Sequence, residues 1–146
     1  MEEKLKELIS NYQVSHSLSR QFYTSETLYK MDIEHYWNHS WIWVGHVNQI
    51  PNTGDFFLFD YGYESVIVAR DKNKDVNALL NVCRHRGSRV CLEKSGNTRV
   101  FACPYHAWTY ELNGNLRGAR EMGDSFDKAE HSLKKVNLRI FHGLIF

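Results

Sequence analysis

Asn81-Val82-Cys83-Arg84-His85-Arg86-Gly87 and, further along, Cys103-Pro104-Tyr105-His106-Ala107-Trp108 are the two stretches on which the reading of this chain turns. Taken as ligands they give Cys-x-His, seventeen intervening residues, then Cys-x-x-His. Each stretch offers one thiolate and one imidazole. A lone Cys is commonly a small buried hydrophobe and a lone His a hydrogen-bonded polar residue, but four of them in two mixed pairs fit metal ligation better. Ligand chemistry alone leaves zinc and an iron–sulfur cluster in contention. Spacing separates them. Zinc modules with two Cys and two His usually pair like with like, whereas both pairs here are mixed.

A mixed pair on each of two loops suits a 2Fe–2S cluster in which one iron takes both Cys and the other takes both His. Cys-Arg-His-Arg-Gly followed by Cys-Pro-Tyr-His-Ala-Trp resembles the Rieske motif, in the form found in the large (alpha) subunit of Rieske non-haem iron oxygenases. The resemblance runs from about Arg20 to Phe146. It implies that Cys83, His85, Cys103 and His106 bind the metal cofactor, with both Cys on an inner iron and both His on an outer iron near the surface. Supporting roles fall to Arg86, Gly87, Trp108 and Tyr110. Gly87 would let the backbone approach the cluster sulfides, and Pro104 would stiffen the second loop. Trp108 would cover the cluster, and Tyr110 would donate a hydrogen bond near a ligand sulfur. Both aromatics also fit as ordinary core residues, and Arg84 and Arg86 read equally as partners of a neighbouring domain's carboxylates or as solvated charges.

In the family the cluster passes single electrons from a reductase or ferredoxin to a mononuclear Fe(II), held by two His and a carboxylate, which activates dioxygen on an organic substrate. No such triad is visible in this chain, so no catalytic residue is assigned within it. The resemblance places that iron in a catalytic domain of the same or a neighbouring subunit, and implies a homotrimeric full-length protein. The expected function is therefore electron transfer in an aromatic-ring-hydroxylating or betaine-demethylating dioxygenase or monooxygenase, an oxidoreductase. Cys83 to Cys91 and Trp108 to Asp127 look more like the betaine-demethylating members than the naphthalene type. A free-standing Rieske ferredoxin is the alternative, disfavoured by the forty or so residues before the β-rich part. A structural zinc module is a lesser one. Respiratory Rieske proteins carry an extra, disulfide-forming Cys in each ligand loop, where this chain has Ser88 and Tyr105, so that branch is disfavoured.

The chain has 146 residues, 42% of them hydrophobic, enough for one compact domain with its own core. A formal charge of +1 without a basic block gives no reason to expect nucleic acid or membrane as a partner. No run has the length or apolarity of a signal peptide or bilayer span. Three Cys, two of them assigned to the cluster, leave Cys91 without a partner, which argues against a disulfide framework and for a reducing cytoplasm. Cys91 reads as a buried, inert thiol.

Residues 1–40 read as an N-terminal arm and helix, and residues 41–146 as the 2Fe–2S domain. Residues 1–9 suggest a short amphipathic helix, 10–24 an arm, and Ser25 the N-cap of a helix to about Asn38. His35 and His39 stand four apart there, and read as a polar helix face rather than a second metal site. From Trp41 onward short β-rich runs alternate with turns: Trp41–His46, Phe56–Tyr61, Ser65–Arg70, Val76–Asn81, Arg99–Ala102, Trp108–Leu112, Lys135–Phe141 and Gly143–Phe146. Pro51-Asn52-Thr53-Gly54-Asp55 and Asn113-Gly114-Asn115 mark turns. The expected class is mainly β: a Rieske-type antiparallel sandwich with a small cluster-binding subdomain, preceded by helices. The final strand lacks a turn signal or polar tail, so a catalytic domain is expected after residue 146, and the strand is expected to be an exposed apolar edge that promotes association.

Overall fold

The computed structural model describes residues 2–123 and 125–146. The expected first helix, residues 1–9, and the stretch Trp108 to Asp127 each include one residue, Met1 and Asp124, outside that set. The chain divides into two compact units, residues 1–42 and 43–146.

The first unit is helical: α1 (Glu2–Ser10), α2 (Gln21–Thr24) and α3 (Glu26–His35). Ser25 caps α3 as its sequence position suggests, its hydroxyl accepting the Leu28 N–H at 3.4 Å. The helix stops earlier than expected. Tyr36 leaves helical geometry at φ −113°, and Trp37–His39 forms a separate 3-10 turn. His35 therefore ends α3 while His39 lies beyond the break, so the two do not share one helical face.

Among the described residues, the second unit is built from ten strands in three antiparallel sheets. Strands β2 (Asp55–Tyr61), β3 (Glu64–Arg70), β4 (Val76–Leu80) and β5 (Ser95–Asn97) form the largest, in the order β4-β3-β2-β5. Val66-Ile67-Val68-Ala69 in β3 is an unbroken apolar run because β3 is an inner strand with both faces covered. Ile67 and Ala69 join Phe56 and Leu79 in the larger core. Val68 turns to the other face and meets Ile50 and Ile145. Strand β5 carries no β signature in its Ser-Gly-Asn sequence. It pairs because glycine lets it lie against an aromatic: a Cβ at Gly96 would stand 3.2 Å from the Phe56 ring.

The second sheet, β6 (Phe101–Ala102), β7 (Thr109–Tyr110) and β8 (Leu116–Gly118), contributes Phe101, Tyr110 and Leu116 to the larger core. Asn113 and Gly114 make the turn from β7 toward β8, with Gly114 at φ +92° and the Asn113 side chain accepting the Asn115 N–H.

The third sheet has the order β1-β10-β9, from β1 (Gly45–His46), β9 (Ile140–Phe141) and β10 (Leu144–Ile145). Two expected long strands are much shorter here. Trp41–His46 contributes only its last two residues, and Lys135–Phe141 only Ile140 and Phe141, with Lys135 making a lone bridge to Leu79. The final strand is no exposed edge. Gly143, at φ +83°, turns the chain back so that β10 is the central strand, paired on both sides, with Ile145 fully buried. Periodicity alone could not show this pairing, because its partner β1 lies at the far end of the unit's sequence.

Candidate functional site

The two stretches fold into loops of the same design. In the first, the Cys83 N–H donates to Ser88 C=O at 2.8 Å and the Gly87 N–H donates back to Cys83 C=O at 2.9 Å. In the second, the Cys103 N–H donates to Trp108 C=O at 2.8 Å and the Ala107 N–H to Cys103 C=O at 2.9 Å. Both closures span the same number of residues. Each also passes through a left-handed residue at the same place, Gly87 at φ +74° and Ala107 at φ +57°. Within these matched frames the His occupies different positions, two residues after Cys83 and three after Cys103.

The result is a buried sulfur end and an open imidazole end. Cys83 and Cys103 are both buried in the larger core, beside Trp108 and Tyr110, and no disulfide ties them. His85 is half-buried and His106 exposed, their rings 4.8 Å apart between centroids and inclined at 69°. Tyr105 lies on the outer side of His106, centroids 3.8 Å apart. A cleft of about 520 Å³ opens at this end, lined by His85, Arg86, His106, Arg120 and Met122 among others. Desolvation, the His106 ring and the Arg86 charge, in that order, lower the His85 pKa and favour its neutral form. No carboxylate among the described residues pairs with Arg84 or Arg86.

Tyr110 is fully buried, and its hydroxyl lies 3.3 Å from the Cys83 sulfur while accepting the Arg84 N–H at 3.0 Å. That leaves its proton free for the sulfur. Burial first, and the Cys83 hydrogen bond second, push its ionisation far up, so it acts as a donor. Gly87 stands in space where an added Cβ would meet no protein atom within 4 Å, so its backbone angle is what calls for glycine. Trp108, only 3% exposed, stacks on His85 with centroids 4.8 Å apart and planes 9° from parallel.

One residue has a role that motif reading passed over. Asn81, quoted with the first loop but given no function, is fully buried and clamps its base. Its side-chain carbonyl accepts the Val90 and Cys91 N–H groups at 2.9 and 2.8 Å, and its amide donates to Cys91 C=O at 2.7 Å and to the Ser65 hydroxyl at 3.2 Å. A polar residue ending an apolar strand directly before a ligand loop was the available signal. Cys91 is itself buried, with burial the first cause of a raised thiol pKa.

Among the described residues, no three His, Cys, Asp or Glu side chains converge as a site for a single metal ion would need. A binuclear cluster with two ligands on each iron makes no such demand. Two buried sulfurs near a phenol donor, opposite two adjacent imidazoles, suit the mixed donor set of that cluster.

Comparison with known proteins agrees with this geometry. The family model for the Rieske [2Fe-2S] domain matches residues 40–137. The glycine betaine monooxygenase oxygenase subunit of Chromohalobacter salexigens is 36% identical over 141 residues, covering 96% of this chain and 32% of that protein. Naphthalene 1,2-dioxygenase from Rhodococcus sp. superposes with a TM-score of 0.87 at 30% identity, covering 98% of this chain and 34% of the other. A quaternary ammonium Rieske monooxygenase, solved in work on carnitine oxidation and inter-subunit electron transfer, gives a TM-score of 0.78 at 34% identity, covering 86% and 35%. The chain thus spans about a third of the length of the curated relatives it matches. With its paired loops, its sulfur and imidazole ends and its three antiparallel sheets, this chain belongs to the Rieske [2Fe-2S] domain family.

Proposed function

We propose that this chain is the electron-transfer domain of an oxygenase alpha subunit, and that Cys83, His85, Cys103 and His106 hold its 2Fe–2S cluster. The observation that carries the reading is the pair of matched loops, which deliver two thiols to the core and two imidazoles to the surface. When bound, such a cluster accepts and releases one electron at a time. The chain's own residues would do the rest. Cys83 and Cys103 hold their sulfurs away from water. The Tyr110 hydroxyl donates to the Cys83 sulfur and favours the more negative, reduced state. His85 and His106 present their rings to the cleft, where a partner can come close. Of the charged residues lining the cleft, Arg86 and Arg120 outnumber Glu121 and leave it a net positive rim suited to a partner's carboxylates.

The donor on this reading is a reductase or ferredoxin, and the acceptor is a mononuclear Fe(II) in a catalytic domain of the same or a neighbouring subunit of a trimer. Betaines are the first substrate class to test, because the glycine betaine relative is 36% identical, against 30% for the naphthalene 1,2-dioxygenase that covers as much of the chain. No helix among the described residues is long and apolar enough to cross a membrane, and a cytoplasmic location suits exposed cluster ligands. Anaerobic reconstitution with iron and sulfide, followed by metal analysis and electron paramagnetic resonance, tests the centre. Two irons per chain with a Rieske spectrum on reduction are expected, and a chain that takes up only zinc would refute the reading. A reading frame continuing past Phe146 into two His and a carboxylate in triad spacing would separate oxygenase from ferredoxin.

A further inference from the structure

We propose that Trp108 is a positioning residue that sets the plane of the His85 imidazole and lowers the potential of the cluster His85 helps to hold. This rests on the ligand set proposed above. A metal-binding His is normally oriented by a hydrogen bond from its second ring nitrogen to a carboxylate, carbonyl or water. No protein group among the described residues makes a hydrogen bond to either ring nitrogen of His85. Within the chain two rings meet it: His106 edge-on, with centroids 4.8 Å apart, and the indole of Trp108, also 4.8 Å away but only 9° from parallel.

The indole reaches across from the second loop to the first, and it is itself fixed. Its backbone carbonyl accepts the Cys103 N–H, which ties the platform to the frame of an inner ligand. The indole is packed edge-on against Phe126 (5.4 Å, 69°) and His131 (5.9 Å, 73°). Those two rings lie 4.3 Å from each other, and the His131 Nδ1 stands 2.9 Å from Asp127 C=O. The segment around 126–131, outside both ligand loops, therefore acts on His85 through Trp108.

The sign of the effect follows from charge. A ligand imidazole is more positive when the cluster is oxidised than when it has gained an electron. The negative face of an indole favours the more positive partner, hence the oxidised state. Removing the indole should raise the potential, and should let the His85 ring take a wider range of planes.

The test uses the full chain reconstituted anaerobically. Pulsed electron paramagnetic resonance of the reduced parent should show two coupled ligand nitrogens. If it does not, the ligand reading fails before any variant is made. With that in hand, Trp108→Leu should raise the potential, Trp108→Phe should raise it less, and both should change the nitrogen couplings and broaden the g-values. Phe126→Leu, which leaves the stack in place and loosens its support, should give a smaller shift of the same sign. A potential that rises while the nitrogen couplings stay those of the parent would mean that Trp108 only shields the cluster, and would overturn the proposal. So would an unchanged or lowered potential. If Trp108→Leu fails to hold a cluster, Trp108→Phe and Phe126→Leu decide by the same criteria.

Discussion

On the proposed ligand set, four donor atoms and one phenol set the chemistry of the site, and each can be tested singly. Cys103→Ala should lose the cluster, because a buried methyl cannot replace a thiolate bound to iron. His106→Cys should keep it at a lower potential, since a charged ligand replaces a neutral one. A Cys103→Ala protein with the parent's visible spectrum and iron content would show that the ligands lie elsewhere. Tyr110→Phe removes a donor from the Cys83 sulfur and the acceptor of the Arg84 N–H. Its potential should fall, because the reduced cluster loses the hydrogen bond that favours it. Its folded state should lose about 1–2 kcal/mol, the typical cost of an unsatisfied partly buried donor. Protein-film voltammetry and urea unfolding read the two effects separately.

The matched loops make opposite predictions for one conformation. Gly87 and Ala107 both sit at positive φ, but only one is glycine. Gly87→Ala should destabilise by about 1 kcal/mol through the backbone alone, as the space around it is open. Ala107→Gly should range from neutral to about 1 kcal/mol more stable, since relief of strain is offset by the added freedom of the unfolded chain. Thermal unfolding of both holoproteins checks the pair. At the start of β2, the Asp55 carboxylate accepts the Asn52 N–H and the Asn97 side-chain amide, both at 2.7 Å, and the Asn97 bond is the first cause of its lowered pKa. A lowered carboxylate pKa stabilises the fold above the ordinary carboxylate range, and that contribution is lost as pH falls through the folded value. Asp55→Asn should therefore flatten the acid limb of a stability-against-pH curve. Local pattern made β2, β3, β4 and the ligand loops legible, because alternation, turn residues and ligand spacing are short-range signals. It overextended the first strand and missed β5 and the central place of β10, whose pairings depend on distant partners. It also passed over Asn81, whose place at the end of an apolar strand was a signal but whose four hydrogen bonds reach groups 9 to 16 residues away.

Taken whole, the chain should bind two irons and accept one electron per cluster, yet neither hydroxylate nor demethylate a substrate by itself. A single-turnover assay of the reduced protein with dioxygen, betaines and aromatic acids checks this. Product together with a third tightly bound iron would place a catalytic centre within these residues. Because β10 is paired on both sides, association through that strand is no longer expected, and light scattering should show no assembly that a charge introduced at Leu144 abolishes. The same pairing fixes an order of events during synthesis. The strands of the four-stranded sheet and the backbone closures of both ligand loops use residues before Gly118, with Phe126 and His131 packing on Trp108 next, whereas β1 meets its partner only when β10 is made. Closing so long a loop is entropically costly and slow compared with local pairing. On a ribosome, both ligand loops can therefore close while β1 still waits for a third sheet that has yet to form.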